Sequence, residues 1–368
     1  MTASIALPLL VRLLRAPDRA GEFSLGQWDA ILRQALSANL TASVEAALAQ
    51  AGTLDQVPAP ARRHLDWARR VGERHRHAAR REVEHIANAL QGLGFPVIVL
   101  KGAAYVVTDN PAARGRMFSD IDILVPAAQL DAVEKALMLN GWLSDNDDAY
   151  DQRYYREWMH ELPPMHNPRR QTSIDVHHAI LPPTARVHPD SALLRADAVA
   201  VPGAGAAAGV ATLSPNDMVL HSATHLFFDG EFDHGMRDMV DLDRMLRDFG
   251  SDPAFWLSLP ARAEQLQLAR PLFYALRYAR LLFDTPVPDA VMNEVDRLAR
   301  PGPLLLRLMD AMYGRTLLPS HPSCSDALTA PARFALYLRG NWLRMPPLML
   351  ARHLLHKAFI SPKTNAAT

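Results

Sequence analysis

Val99-Leu100-Lys101-Gly102 and, after a loop, Ser119-Asp120-Ile121-Asp122-Ile123-Leu124-Val125 decide the fold of this chain. An apolar, mostly β-branched run from Val97 to Leu100 stops at Lys-Gly. A helix-compatible piece from Ala103 to Thr108 follows, and a loop carrying Arg114 and Arg116 leads into the second apolar run. Side chains alternate along a strand, so Asp120 and Asp122 project from one face and Ile121 and Ile123 from the other. Two carboxylates sharing a wall repel one another and resist full ionisation unless a cation lies between them. Alternating acids on a surface strand are often a solvated face, but the apolar residues here argue for an interior strand, where the pair needs a partner. Mg²⁺ or Mn²⁺, completed by phosphate oxygens and water, suits that place.

Gly102 stands where strand passes into helix, so a phosphate could approach the backbone there; the plainer alternative is a turn glycine. Lys101 beside it is one of only four lysines among 39 basic residues, and its ammonium could rest on a phosphate as a point charge. Arg114 and Arg116 offer guanidinium groups to a β- or γ-phosphate, against the alternative of a solvated loop in an arginine-rich chain. Ser119 enters the strand and ties down the loop. Farther on, in Ser173-Ile174-Asp175-Val176-His177, the same alternation sets Ser173, Asp175 and His177 on one face. If the two acidic strands are neighbours, Asp175 converges on Asp120 and Asp122, a set able to hold two divalent ions; a lone acid paired to an arginine is the alternative.

Outward from this centre the pattern becomes helical. On the N-terminal side Ile5, Leu9 and Leu13 are spaced by four, as are Trp28, Leu32 and Leu36. Ser24 is placed as an N-cap, Pro58 and Pro60 mark a break, and Ala61 to Gly92 reads as one long helix. Within the centre, strands are expected over residues 95–100, 120–125 and 172–180, with a short one from Trp142, and a helix from Ala127 to Asn140 closed by Gly141. Residues 154–162 fit neither period. Beyond Pro202 a run of small residues, Gly203 to Gly209, reads as a linker or surface loop. Ser214-Pro215 then starts a series of helices through Phe359. The expectation is an α+β chain: a helical region over 1–92, a core with a small mixed β-sheet over 93–200, and a second helical region over 201–368.

With 368 residues, 49% of them hydrophobic, the chain can bury a sizeable core. Its formal net charge is zero and its pI about 7.3, which disfavours nucleic acid as a partner of the whole surface. The single cysteine, Cys324, leaves no intrachain disulfide to form. The apolar N-terminus, with its arginines late, reads as a packed helix and not a signal peptide, and no apolar run is long enough to span a bilayer, so the cytoplasm is the expected compartment. His221 and His225, four apart on a predicted helix with Asp238 nearby, superficially resemble a zinc site. They lack the glutamate of a zinc-protease helix and read better as core or interface histidines. Arg237-Asp238 and Asp241-Leu242-Asp243-Arg244 read as charge pairing along a helix. From Arg333 to Lys363 six basic residues interleave with Trp342, Met345, Leu348, Met349, Leu355 and Phe359; a packed helix with a basic rim is expected, and peripheral contact with an anionic membrane or a protein is the alternative.

Taken together, Leu-Lys-Gly-Ala-Ala, the arginine loop, Ser-Asp-Ile-Asp-Ile-Leu-Val, a helix ending in Asn-Gly-Trp and the later Ile-Asp-Val-His-His resemble the nucleotidyltransferase superfamily typified by DNA polymerase beta. Within it they are most similar to a bacterial branch of uncharacterised nucleotidyltransferases with helical flanks. The resemblance implies that Asp120, Asp122 and Asp175 are the catalytic and metal-binding acids and that Gly102 takes the glycine position after the first strand. Ala103 departs from the serine common there. It further implies that Lys101, Gly102, Arg116 and Ser119 contact an NTP, with Mg²⁺ or Mn²⁺ as cofactor, and that an NMP group passes to a hydroxyl of a small molecule or protein. The rival expectation is a catalytically idle nucleotide-binding or scaffold protein on the same fold, serving a polysaccharide or secreted-peptide pathway or acting as an antitoxin-like partner.

Overall fold

The computed structural model describes residues 7–144, 149–203, 209–346 and 349. The front of the chain is helical: α1 (Leu9–Arg15), α2 (Leu25–Ser37), α3 (Thr41–Ala51) and α4 (Ala59–Ala89). Ser24 caps α2 through a capping box, in which Gln27 N donates to Ser24 Oγ at 3.3 Å and Ser24 N donates to Gln27 Oε1 at 2.9 Å. The long α4 buries Ala61, Leu65, Ala68, Gly72, Ala79, Val83 and Ile86, spaced by three, four or seven, along one stripe. Ile5 of the expected first helix lies outside the described residues.

The centre runs through β1 (Val97–Val99), α5 (Lys101–Val107), β2 (Asp120–Leu124), α6 (Leu130–Leu139), β3 (Leu143–Ser144), α7 (Ala149–Trp158), β4 (Met165–Asn167) and β5 (Thr172–His177). It continues into α8 (Ser191–Ala196), β6 (Val199–Ala200) and β7 (Val210–Thr212). The fold is α+β, with one mixed sheet of seven strands in the order β3-β4-β5-β2-β1-β7-β6. β2 runs antiparallel to β1 and parallel to β5, and β1 runs parallel to β7. The central strand β1 is buried at all three residues. The sheet therefore extends past residue 200, because Val97, Ile98 and Val99 pair with Val210, Ala211 and Thr212. The small residues between β6 and β7 join two antiparallel strands, and 204–208 lie outside the described residues. The strand expected over residues 172–180 stops at His177, where His178 N turns to donate to His160 O at 2.8 Å.

Behind the sheet come α9 (Pro215–Phe228), α10 (Gly235–Phe249), α11 (Pro253–Gln265), α12 (Ala269–Phe283), α13 (Asp289–Ala299), α14 (Pro303–Thr316) and α15 (Thr329–Arg344). Ser214 caps α9 by accepting from Asp217 N, with Pro215 in the first turn. Phe227, Tyr274, Tyr278 and Tyr313 form the aromatic centre of this half, with ring centroids 5.1 to 6.3 Å apart. Of the six basic residues in the C-terminal stretch, Arg333, Arg339 and Arg344 lie in α15, and Arg352, Lys357 and Lys363 lie outside the described residues. No helix among those described is long and apolar enough to cross a membrane.

Candidate active site

The parallel register of β2 and β5 sets Asp122 opposite Asp175 and Asp120 opposite Ser173. Because both strands alternate, Asp120, Asp122, Asp175 and His177 project toward one side while Ile121, Ile123, Ile174 and Val176 fill the core on the other. Asp122 is only 5% exposed, and one of its oxygens, Oδ1, accepts from Lys101 Nζ at 2.9 Å and from His177 Nε2 at 3.0 Å. Burial opposes its charge, but the Lys101 ammonium and the His177 ring outweigh that and hold the carboxyl well below its usual range. On its other side His177 turns Nδ1 to Glu161 Oε2 at 3.3 Å. Burial would discharge this imidazole, yet its contacts with Asp122 and Glu161 hold its proton more tightly than usual.

Asp175 has the opposite character. Among the described residues no group donates a hydrogen bond to it or pairs with it, and burial, followed by the charges of Asp122 and Glu161, pushes its pKa up to about 7. Donor atoms of Asp122, Asp175 and His177 all lie within 4.8 Å of one another. An oxygen-rich set with one carboxylate lacking a counter-charge has the chemistry of a divalent-cation site and fits Mg²⁺ or Mn²⁺. Asp120 is not part of this cluster, and its Oδ1 accepts from Ser119 Oγ at 3.4 Å.

Lys101 reaches Asp122 from an unusual backbone. Its φ is 45°, in the left-handed region, so the chain reverses sharply from β1 into α5 and the ammonium swings back over β2. Helix α5 accordingly begins at Lys101, two residues before the expected start. A pocket of about 190 Å³ opens beside it, lined by Lys101, Gly102, Arg116, Ser119, Asp120 and Asp122 on one wall. Arg237, Asp238 and Asp241 of α10, with Ser222 and His225 of α9, form the facing wall. Asp175 does not line this pocket.

Arg116, expected to grip a phosphate, is committed elsewhere. Its Nε donates to Asp241 Oδ2 at 2.5 Å, Asp238 lies 4.0 Å away, and its guanidinium is 5.7 Å from the ring centres of both Tyr105 and Phe118. The loop carrying it is pinned from three sides. Phe118 N donates to His75 Nε2 of α4 at 3.2 Å, Arg244 of α10 donates to the carbonyls of Arg114 and Ser43, and Gly115, at φ 73°, lies flat against the Ala42 backbone. Gly102 is needed for the same reason, since a Cβ there would strike the Arg116 guanidinium and the Phe118 ring. Asp241 and Arg244 thus reach across to other elements; the pairing along α10 expected from sequence holds for Arg237 with Asp238, at 3.0 Å.

His221 and His225 join no cluster of three metal-ligating side chains among the described residues. His221 is buried in α9, and His225 Nε2 lies 3.8 Å from Asp229 Oδ2. The groups that sequence reasoning missed are Glu161 and the carboxylates facing Arg116. Residues 154–162 carry no clear period, and Asp238 and Asp241 are indistinguishable in sequence from an ordinary charged helix face.

A family model described as an uncharacterised nucleotidyltransferase matches residues 24–284, which takes in α2 through α12 and the whole sheet. No curated protein matches the chain.

Proposed function

This chain belongs to the family of uncharacterised nucleotidyltransferases, and from that premise we propose that it transfers an NMP group from an NTP to a hydroxyl of a small molecule or protein, releasing pyrophosphate. The observation that carries this reading is the register of β2 on β5, which sets the compensated Asp122 beside the uncompensated Asp175 next to a pocket holding Lys101 and Asp120. Asp120, Asp122 and Asp175 would hold the divalent ions, which when bound supply neutralisation of the transferring phosphoryl group and a more acidic acceptor hydroxyl. Asp175, which no group donates to or pairs with among the described residues, would help take the acceptor proton. Lys101 and Arg237 bring positive charge to the pocket walls where a triphosphate would lie, and Ser119 orients Asp120. Arg116 acts as a positioning residue, because its charge is spent on Asp241 while its bulk shapes the wall beside Gly102.

One observation favours the second reading, a nucleotide-binding protein without turnover: Asp122 is already satisfied by an ammonium and an imidazole on the same oxygen. Pyrophosphate release and NTP-dependent thermal stabilisation, measured with Mn²⁺ or Mg²⁺ for the wild type, Asp120→Asn and Asp122→Asn, separate the two. Transfer predicts metal-dependent signals in both assays that the variants lose. Stabilisation without pyrophosphate over a broad set of acceptors selects binding alone, and absence of both signals removes the nucleotide from either reading.

A further inference from the structure

His177 presents its second nitrogen to a different group of ligands. Residues 160–162 are clipped onto the end of β5: Leu162 N donates to Val176 O at 2.9 Å, His178 N donates to His160 O at 2.8 Å, and Glu161 bridges to His177. The clip brings donor atoms of His160, Glu161 and His177 within 4.8 Å of one another, on the face of the His177 ring turned away from Asp122. Three details of this cluster go beyond proximity. The 3.3 Å between His177 Nδ1 and Glu161 Oε2 is long for a charge-assisted hydrogen bond, yet it equals the edge of a tetrahedron of ligands about 2.0–2.1 Å from a central ion. His160 Nδ1 is buried with no hydrogen-bond partner among the described residues. The His160 and His177 rings lie 5.2 Å apart at 33°, close enough to share one ion.

We propose that His160, Glu161 and His177 form a second cation site, for a borderline metal of the Zn²⁺ class. Two imidazoles and one carboxylate select such an ion over Mg²⁺, which takes oxygen ligands. A metal on Nδ1 leaves Nε2 of His177 as the N–H that donates to Asp122, so the second site fixes the ring that steadies the first. The proposal does not depend on nucleotidyl transfer, because it concerns binding by these three side chains.

Co²⁺ is the probe, added to the metal-stripped full-length chain while visible absorption is followed. With excess Mg²⁺ present to fill the acidic site, one equivalent is expected to give the absorption bands of a low-symmetry N/O site, displaced by Zn²⁺. His160→Gln and Glu161→Gln should each weaken Co²⁺ binding by about tenfold or more, while Asp120→Asn and Asp175→Asn leave it unchanged. Thermal melts of the metal-free proteins check folding, and Glu161→Gln, the more exposed position, decides if His160→Gln does not fold. Failure to bind near one equivalent, or bands indifferent to Glu161→Gln, would overturn the site. Bands that vanish with Asp175→Asn and survive Glu161→Gln would move the metal to the Asp122 side of the ring and equally refute it.

Discussion

Arg116 and Asp241, 125 positions apart, meet at 2.5 Å with both side chains buried. Through this contact, with Asp238 4.0 Å away beside it, the loop before β2 is fastened to α10, and the two walls of the pocket are joined. Burial works against the Arg116 charge, and Asp241 with Asp238 outweighs it. Removing one partner strands a buried charge, so Asp241→Asn should destabilise the protein by about 3–5 kcal/mol. Arg116→Met combined with Asp241→Leu should recover much of that loss. Denaturant unfolding of Arg116→Met, Asp241→Leu and their combination measures this, and additive losses would show that the pair is not coupled.

Gly102 is held to glycine by the same guanidinium. Gly102→Ala drives a methyl into Arg116 and Phe118 and is expected to cost about 1–3 kcal/mol, whereas Gly26→Ala, inside α2 with nothing within 4 Å of the added carbon, should gain about 0.5–1 kcal/mol. Thermal melts of the two variants should move in opposite directions. A stable Gly102→Ala protein would mean that Arg116 yields easily and is freer to meet a ligand than its contacts indicate.

What the sequence made legible was local. The apolar run into Lys-Gly, the Asp-Ile-Asp alternation and the Ser24 and Ser214 caps each depend on spacing within a few residues, and the strands and helices form where those spacings place them. The matching alternations placed Asp122 and Asp175 on like faces, but that β2 and β5 are neighbours, which brings the two together, is set by the sheet. Illegible were contacts set by tertiary packing. Arg116 was a phosphate ligand by type and is an ion-pair partner by position. The three-residue β7, after a run of small residues, carries too few side chains to announce a strand and joins the sheet by pairing with β1. His160 and Glu161 acquire meaning only from the clip that lays them on β5.

Asp175 gives the metal-free protein a predictable pH dependence. Its folded pKa, about 7, lies above its ordinary value of 3.8, so the folded state holds the proton more tightly than the unfolded chain. Its contribution to stability is complete below the unfolded value and is lost as pH rises through about 7. Asp175→Asn cannot ionise, so its melting temperature in chelator should match the wild type near about pH 4 and exceed it by on the order of 5 °C near about pH 8. Mn²⁺ should close that gap by stabilising the wild type alone. A constant difference across the range would show that Asp175 is an ordinary carboxylate.

Lys101 combines a strained backbone with a charge, and two substitutions separate them. Its φ of 45° is costly for any residue with a Cβ, while its ammonium sits 2.9 Å from Asp122. Lys101→Met keeps the strain and removes the charge; Lys101→Gly removes both. The glycine variant should therefore be more stable than the methionine variant by about 1 kcal/mol. Both should weaken NTP-dependent stabilisation, because Asp122 loses its fixed cation and the pocket loses positive charge. If Lys101→Gly instead bound Mn²⁺ more tightly than the wild type, the ammonium would be a competitor for the metal position, and the sharp turn at Lys101 would serve to keep Asp122 neutralised until a metal displaces it.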